Sequence, residues 1–159
     1  MFERFTRDAR DVVRQSHEEA TGLRSPTVEA EHLLLALAAP RSGPTAKVLA
    51  GAGLDRAGVL TALDAELRRS LEAVGIDAGL LEQAPPSGWR SPRWGQSAKL
   101  ALERTVRVAE ERRDRRLVPG HLLLAVLRAE AGTVPRALRG AGVDPGELAG
   151  RMSAALDGR

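Results

Sequence analysis

The sequence predicts an all-α protein built of two tandem four-helix repeats related by an approximate two-fold, with about eight helices in total. The hexapeptide HLLLAL at 32–37 returns as HLLLAV at 121–126, and the same offset brings GAGLD at 51–55 onto GAGVD at 140–144 without a gap. Hydrophobic residues make up 43% of the 159 residues but aromatic ones only 3%. The core must therefore consist of Leu, Val and Ala, which suits closely packed helices better than sheets.

The first repeat contains four segments with recognisable helix signals. Helix 1 begins after Thr6, a favourable N-cap residue, and Gly22 can close it. Helix 2 covers about 29–38 and is apolar nearly all round, which predicts the central buried helix. Helix 3 spans roughly 44–50 with proline at its first position, and Asp55 caps helix 4.

The second repeat is predicted to replay this pattern after a linker. Its helices are expected at about 96–112, 119–129, 134–139 and 145–156. Glycine, proline and serine accumulate between the two helical units, as in a linker. We therefore divide the chain into repeat 1 at 1–71, a linker at 72–93 and repeat 2 at 94–159, together forming one compact domain.

Composition argues against several functional classes. The formal net charge is only +3 with 21 acidic residues interspersed, so a nucleic-acid-binding helical protein is the lesser alternative. Its basis is the mixture of Trp89 and Trp94 with Arg90 and Arg93, which could stack on bases. There is no cysteine, no apolar run of the roughly 20 residues that cross a bilayer and no signal-peptide segment at the start. We expect a cytoplasmic protein that binds no membrane.

The sequence contains no residue pattern typical of a catalytic site or a metal site. No Ser/His/Asp set or nucleophile elbow is present, so we expect no enzyme activity and no cofactor. The three histidines show no metal-ligand spacing, and we predict no metal site. His32 and His121 occupy equivalent positions, where each ring is expected to bond nearby backbone.

The opening MFERFT, the segment Ala9-Arg10, the run Glu18-Glu19-Ala20 and the run Glu31-His32-Leu33 closely resemble the N-terminal domain of ClpC-type unfoldases. That family is built of two such repeats, each marked by Gly-Thr-Glu-His before an apolar helix. The resemblance implies binding without chemistry, because in ClpC proteins this domain sits above the ATPase ring and receives substrates and adaptors. We expect a monomer whose partners are a ClpC-type unfoldase, its substrates or its adaptors.

The resemblance also implies a candidate ligand site. In that family the domain can read phosphorylated arginine: the repeat's Glu holds the guanidinium, while the Thr near helix 1 and neighbouring amides face the phosphate. Carried over, the site in repeat 1 comprises Thr6, Val28, Ala30 and Glu31. Glu31 is equally consistent with a simple partner of the helix dipole.

The second repeat departs from the family pattern. Gly120 and Gly95 stand at the positions equivalent to Glu31 and Thr6, so we predict at most one working site, in repeat 1. Even there Glu29 and Ala30 replace Gly-Thr, and the charge of Glu29 near a bound phosphate opposes phosphoarginine binding.

A further alternative is a decoy. Family N-domains are targets of cyclic-peptide antibiotics that dock around the start of helix 1, which suggests self-protection by a free copy. The corresponding surface comprises Phe2, Phe5, Arg10, Val13, His17 and Trp94, although Phe5 and Trp94 also suit hydrophobic staples that close each repeat. The sequence contains no Gly-x-x-x-x-Gly-Lys-Ser/Thr loop of the family's ATPase modules, which fits either an excised domain or a stand-alone member. The unusual linker and the departures in the second repeat favour a stand-alone member.

Overall fold

This computed structural model describes residues 2–77, 79 and 91–158. The described residues form eight α-helices. Repeat 1 contributes α1 (Arg7–Gly22), α2 (Ala30–Ala38), α3 (Pro44–Gly51) and α4 (Arg56–Ala73), and repeat 2 contributes α5 (Gln96–Glu111), α6 (Pro119–Leu127), α7 (Thr133–Gly140) and α8 (Pro145–Asp157). A 3₁₀ turn at Phe2–Arg4 precedes α1. The predicted all-α architecture of two tandem repeats is confirmed.

Local capping explains where several helices begin. The Thr6 hydroxyl accepts the Ala9 N–H at 3.2 Å, and the Asp55 carboxylate accepts the Gly58 N–H at 2.8 Å. Each bond satisfies one of the backbone donors that a helix start leaves without a partner. Most of the predicted linker lies outside the described residues, including position 78 and the range 80–90.

The core is organised around α2 and α6. Both helices are buried along almost their whole length, since each packs against helices of its own repeat and against the other. Leu33 and its equivalent Leu122 are fully enclosed. Burying one such side chain contributes about 1.5–3 kcal/mol, so these two helices supply much of the hydrophobic stabilisation. None of the helices that the structure describes is long and apolar enough to span a bilayer.

Two buried glutamates join helices through arginine pairs. Arg56 donates to both Glu19 carboxylate oxygens, at 2.9 and 2.7 Å, and thereby ties α4 to α1. Arg136 on α7 donates to Glu66 on α4 at 2.7 Å. The second pair joins the two repeats.

The repeats also exchange their N-terminal segments, a feature that the sequence did not predict. The two-residue strands β1 (Thr27–Val28) and β2 (Arg93–Trp94) pair in parallel, so the segment before α5 lies on the loop before α2. In the equivalent arrangement, Phe5 bridges Leu117, and the segment before α1 lies on the loop before α6. The start of each repeat therefore faces the second helix of the other repeat.

Candidate ligand-binding cavities

The exchange of segments creates two equivalent cavities. The larger, here called the α1 cavity, has a volume of about 380 Å³ and lies between α1, the α2–α3 loop and the start of α6. The smaller, here called the α5 cavity, has a volume of about 260 Å³ and lies between α5, the α6–α7 loop and the start of α2. Both combine residues of the two repeats.

Equivalent positions line the two cavities with different chemistry. Among the lining residues, the α1 cavity has Thr6, Asp8, Arg41, Val118, Pro119 and Gly120. Those of the α5 cavity include Glu29, Ala30, Glu31, Ser97, Arg104 and Gly132. Glu31 thus stands where the α1 cavity has Gly120, and Ser97 where it has Asp8.

The structure corrects the grouping of Thr6 with Glu31. Both were predicted to lie in one pocket of repeat 1, but Thr6 lines the α1 cavity and Glu31 lines the α5 cavity. The reason is the backbone pairing: the Thr6 N–H donates to the Leu117 carbonyl at 2.9 Å, which turns the start of α1 toward α6. The α1 cavity therefore has the hydroxyl with Gly120, and the α5 cavity has the carboxylate with Gly95 nearby.

Glu31 presents an uncompensated carboxylate to the α5 cavity. Burial raises the pKa of this carboxyl above its ordinary value. A hydrogen bond from its own backbone N–H partly offsets this increase in pKa, and the negative charge of the neighbouring Glu29 adds to it. No cation pairs with it among the described residues. A half-buried carboxylate without a cation is electrostatically suited to accept one.

Glu29 instead is held at the start of α5. Its carboxylate accepts the Ser97 N–H at 3.2 Å and the Ser97 hydroxyl. Ser97 also accepts the Ala30 N–H at 2.8 Å, so one serine links both helix starts. A helix N-terminus favours an anion, and here the protein's own carboxylate takes that place.

Gly95 and Gly120, the two departures from the family pattern, have neighbouring atoms where a side chain would lie. A Cβ at Gly95 would lie 1.6 Å from Glu29 Oε1, so any side chain there would displace that carboxylate. A Cβ at Gly120 would lie 2.8 Å from Leu156 Cδ2. The space that equivalent side chains would occupy is taken by Glu29 in one cavity and by α8 in the other.

The remaining residues of the predicted ligand site take structural places. Val28 is fully buried in β1, and its carbonyl accepts the Gly95 N–H at 2.9 Å. Ala30 lines the α5 cavity. The Nδ1 atoms of His32 and His121 accept the N–H groups of Glu29 and Val118 at 2.8 and 2.9 Å, as the structural interpretation predicted.

The surface predicted for cyclic peptides is divided between core and solvent. Phe5 and Val13 are buried, whereas Phe2 is 40% exposed, with its ring 5.0 Å from that of Phe5 in an edge-to-face contact. Arg10 is exposed and Trp94 half-buried.

His17 lies further along α1, where its Nε2 is 3.2 Å from the Pro92 carbonyl and 3.1 Å from the Ser91 hydroxyl.

Trp89 and Arg90, part of the nucleic-acid alternative, lie outside the described residues. In the described part of the chain no group of acidic, histidine or cysteine side chains could hold a metal ion.

Sequence reasoning missed Arg41 and Ser97. Arg41 lies in the α2–α3 loop, where its Nη2 donates to Gln15 Oε1. Its Nε is buried without a hydrogen-bond partner in the described part of the chain. Neither residue belongs to a recognisable motif that would indicate which surface it faces.

Comparisons with known proteins cover almost the whole chain. A family model described as the Clp repeat (R) N-terminal domain matches residues 4–84 and 93–158. Chloroplastic chaperone protein ClpC2 of Arabidopsis thaliana is 32% identical over 148 residues, which are 93% of this chain and 14% of that protein. Chloroplastic chaperone protein ClpD2 of Oryza sativa subsp. japonica is 30% identical over 149 residues, or 94% of this chain and 15% of the relative. The chain thus spans about a seventh of these relatives.

Solved structures share the fold. The N-terminal domain of the chaperone ClpD from Arabidopsis thaliana superposes with a TM-score of 0.72 at 22% identity, covering 99% of this chain and 97% of that one. The Hsp104 N-terminal domain from Candida albicans gives 0.62 at 18% identity, covering 94% and 89%.

Proposed function

Because the chain belongs to the Clp repeat (R) N-terminal domain family, we propose that it is a non-enzymatic protein-binding module of Clp proteolysis. In this proposal a monomer in the cytoplasm recognises substrates or adaptors of a ClpC-type unfoldase, or modulates that machine in trans. The observation that carries the proposal is the Glu31 carboxylate in the α5 cavity, which no cation neutralises among the described residues.

The chemistry of the α5 cavity supports recognition of an arginine side chain. A planar guanidinium forms paired, charge-assisted hydrogen bonds with a carboxylate, and such bonds are roughly twice as strong as neutral ones. Leu100, Ala101 and Val126 supply apolar walls for the aliphatic part of that side chain. Glu31 therefore acts as the anchor of the ligand.

Phosphoarginine requires an additional rearrangement in this proposal. The start of α5 is the nearest place for a phosphate, but the Glu29 carboxylate already accepts the Ser97 N–H there. Two like charges cannot share those donors, so phosphate binding requires that Glu29 move away. Recognition of phosphoarginine-marked proteins is thus the finer form of the proposal, and unmodified arginine is the simpler ligand.

The test is a calorimetric titration with N-acetylarginine amide and, separately, with free phosphoarginine. We expect one binding site in the wild type and its loss in Glu31→Ala, whereas Glu103→Ala, which removes an exposed carboxylate from α5, retains it. No heat with either ligand would refute recognition through this cavity. Two equivalent phosphoarginine sites would show that the α1 cavity binds it without a carboxylate at position 120.

Exposure of Phe2 favours one second candidate, a decoy for cyclic-peptide antibiotics. An apolar ring that is 40% exposed beside the start of α1 offers a contact for an apolar cyclic peptide. Titration of such a peptide is expected to give weaker binding to Phe2→Ala than to Leu23→Ala, a matched change at the other end of α1, where Leu23 is 48% exposed. Equal effects of both variants would argue against a decoy surface at Phe2.

A further inference from the structure

The two equivalent cavities have diverged in charge. The α5 cavity has two carboxylates, Glu29 and Glu31, and the cation Arg104. Among the described residues, the α1 cavity is lined by one cation, Arg41, and one carboxylate, Asp8. Arg41 has the acidic Glu130 as its equivalent in repeat 2, so the charge at this loop position is reversed between the repeats. The α1 cavity is therefore the less acidic of the pair.

Arg41 lines this cavity from the α2–α3 loop. Its Nη2 donates to Gln15 on α1, which fixes the guanidinium against that helix. Its Nε, in contrast, is buried and has no acceptor among the described residues. The guanidinium has further N–H donors besides the one that Gln15 accepts, and its fixed positive charge favours an oxyanion in the cavity that Arg41 lines.

Helix starts add to the positive potential around the same cavity. α3 begins after Gly43, which has φ +125° and no side chain to cap the helix. α6 begins after Val118, whose side chain has no acceptor atom, and Gly120 follows in its first turn. Both starts line the α1 cavity with Arg41, and the positive ends of their dipoles favour a negative group there.

We propose that the α1 cavity binds a carboxylate carried on an apolar body, with the Arg41 guanidinium as its main partner. A singly charged group suits the cavity better than a phosphate dianion, because Asp8 already contributes a negative charge. Val12, Leu37 and Leu156 provide apolar walls, and the volume of about 380 Å³ lies in the range of small-ligand pockets. A peptide carboxylate beside an apolar residue has this chemistry. The site shares no lining residue with the α5 cavity, so it stands apart from the proposed arginine site.

The experiment is a titration of ¹⁵N-labelled protein followed by NMR through the Arg41 Nε–H resonance and the Gly43 and Gly120 amides. The probes are N-acetylleucine, N-acetylleucine amide, N-acetylaspartic acid amide and inorganic phosphate. We expect N-acetylleucine to shift all three signals and its amide to bind about tenfold more weakly, since the charge-assisted bond is lost. Stronger binding of N-acetylaspartic acid amide than of N-acetylleucine would assign the carboxylate to an acidic side chain instead of a chain end.

Variants separate a specific site from general attraction. Arg41→Gln is expected to weaken N-acetylleucine binding about tenfold, and Arg139→Gln, which removes the same charge from an exposed site on α7, is expected to leave it unchanged. Arg41→Lys retains the charge without the planar guanidinium and serves as the second variant if Arg41→Gln unfolds. Asp8→Asn should tighten binding. The proposal is overturned if the Arg41 Nε–H does not shift, if the amide binds as well as the acid, or if phosphate alone binds.

Discussion

Replacing Gly120 by alanine tests whether α8 has closed the α1 cavity at this position. The added Cβ would lie 2.8 Å from Leu156 Cδ2 and 3.1 Å from Met152 Cε. Carbon atoms pack best at about 3.5–4.0 Å, so α8 or its side chains must shift, and such overpacking typically costs about 1–3 kcal/mol. Alanine is favoured over glycine inside a helix by at most about 1 kcal/mol, so we expect a net loss of about 0–2 kcal/mol.

Gly150 is the matched control, because a Cβ built there meets no atom within 4 Å and the residue lies within α8. Gly150→Ala should gain up to about 1 kcal/mol from helix propensity alone. Urea denaturation followed by circular dichroism measures the free energy of unfolding for both variants. Equal stabilisation by the two substitutions would refute the steric argument. If the clash is real, the effects of Gly120→Ala and Leu156→Ala on the free energy of unfolding should be coupled by about 0.5–3 kcal/mol in the double variant.

Three further predictions follow from burial and charge. Leu33→Ala should lower the free energy of unfolding by about 2–5 kcal/mol in urea denaturation, and Leu67→Ala, at a position 52% exposed, should change it by less than about 0.5 kcal/mol. Glu31→Gln should be more stable than the wild type at pH 7. Burial raises the pKa of Glu31 in the folded state above its ordinary value of 4.5, so the wild type loses stability as the pH rises from the ordinary pKa through the raised one. The difference should disappear below about pH 4, and a constant difference across pH would contradict it. Glu29→Gln should strengthen phosphoarginine binding about tenfold in calorimetry by removing a like charge from the start of α5; unchanged affinity would show that Glu29 does not compete with phosphate.

The helices could be predicted closely because their signals are local. Apart from the end of α4, for which no bound was predicted, predicted and observed bounds agree within two residues. Thr6 and Asp55 cap through their own neighbours, and proline marks the first residue of α3, α6 and α8. The duplicated pattern also carried the helix assignment from one repeat to the other.

The composition of the cavities could not be predicted in the same way. It depends on the pairing of Phe5 with Leu117, an isolated bridge between two residues far apart in sequence, which is too short to produce an alternating pattern. Sequence reasoning therefore combined Thr6 with Glu31 because both belong to repeat 1. Arg41 was missed for a different reason, since nothing near this loop residue in the sequence indicates which surface it faces.

The exchanged N-terminal segments have a consequence for how such a domain can originate. A single repeat on its own would leave the backbone of its first residues and of its α1–α2 loop without these partners. Two separate copies would satisfy both edges as a symmetric homodimer, with two identical sites at the interface. Joining the copies in one chain removes that identity, because each substitution then enters only one site. Gly120 and Glu31 illustrate the freedom gained: these equivalent positions line two cavities with unlike chemistry in one protein.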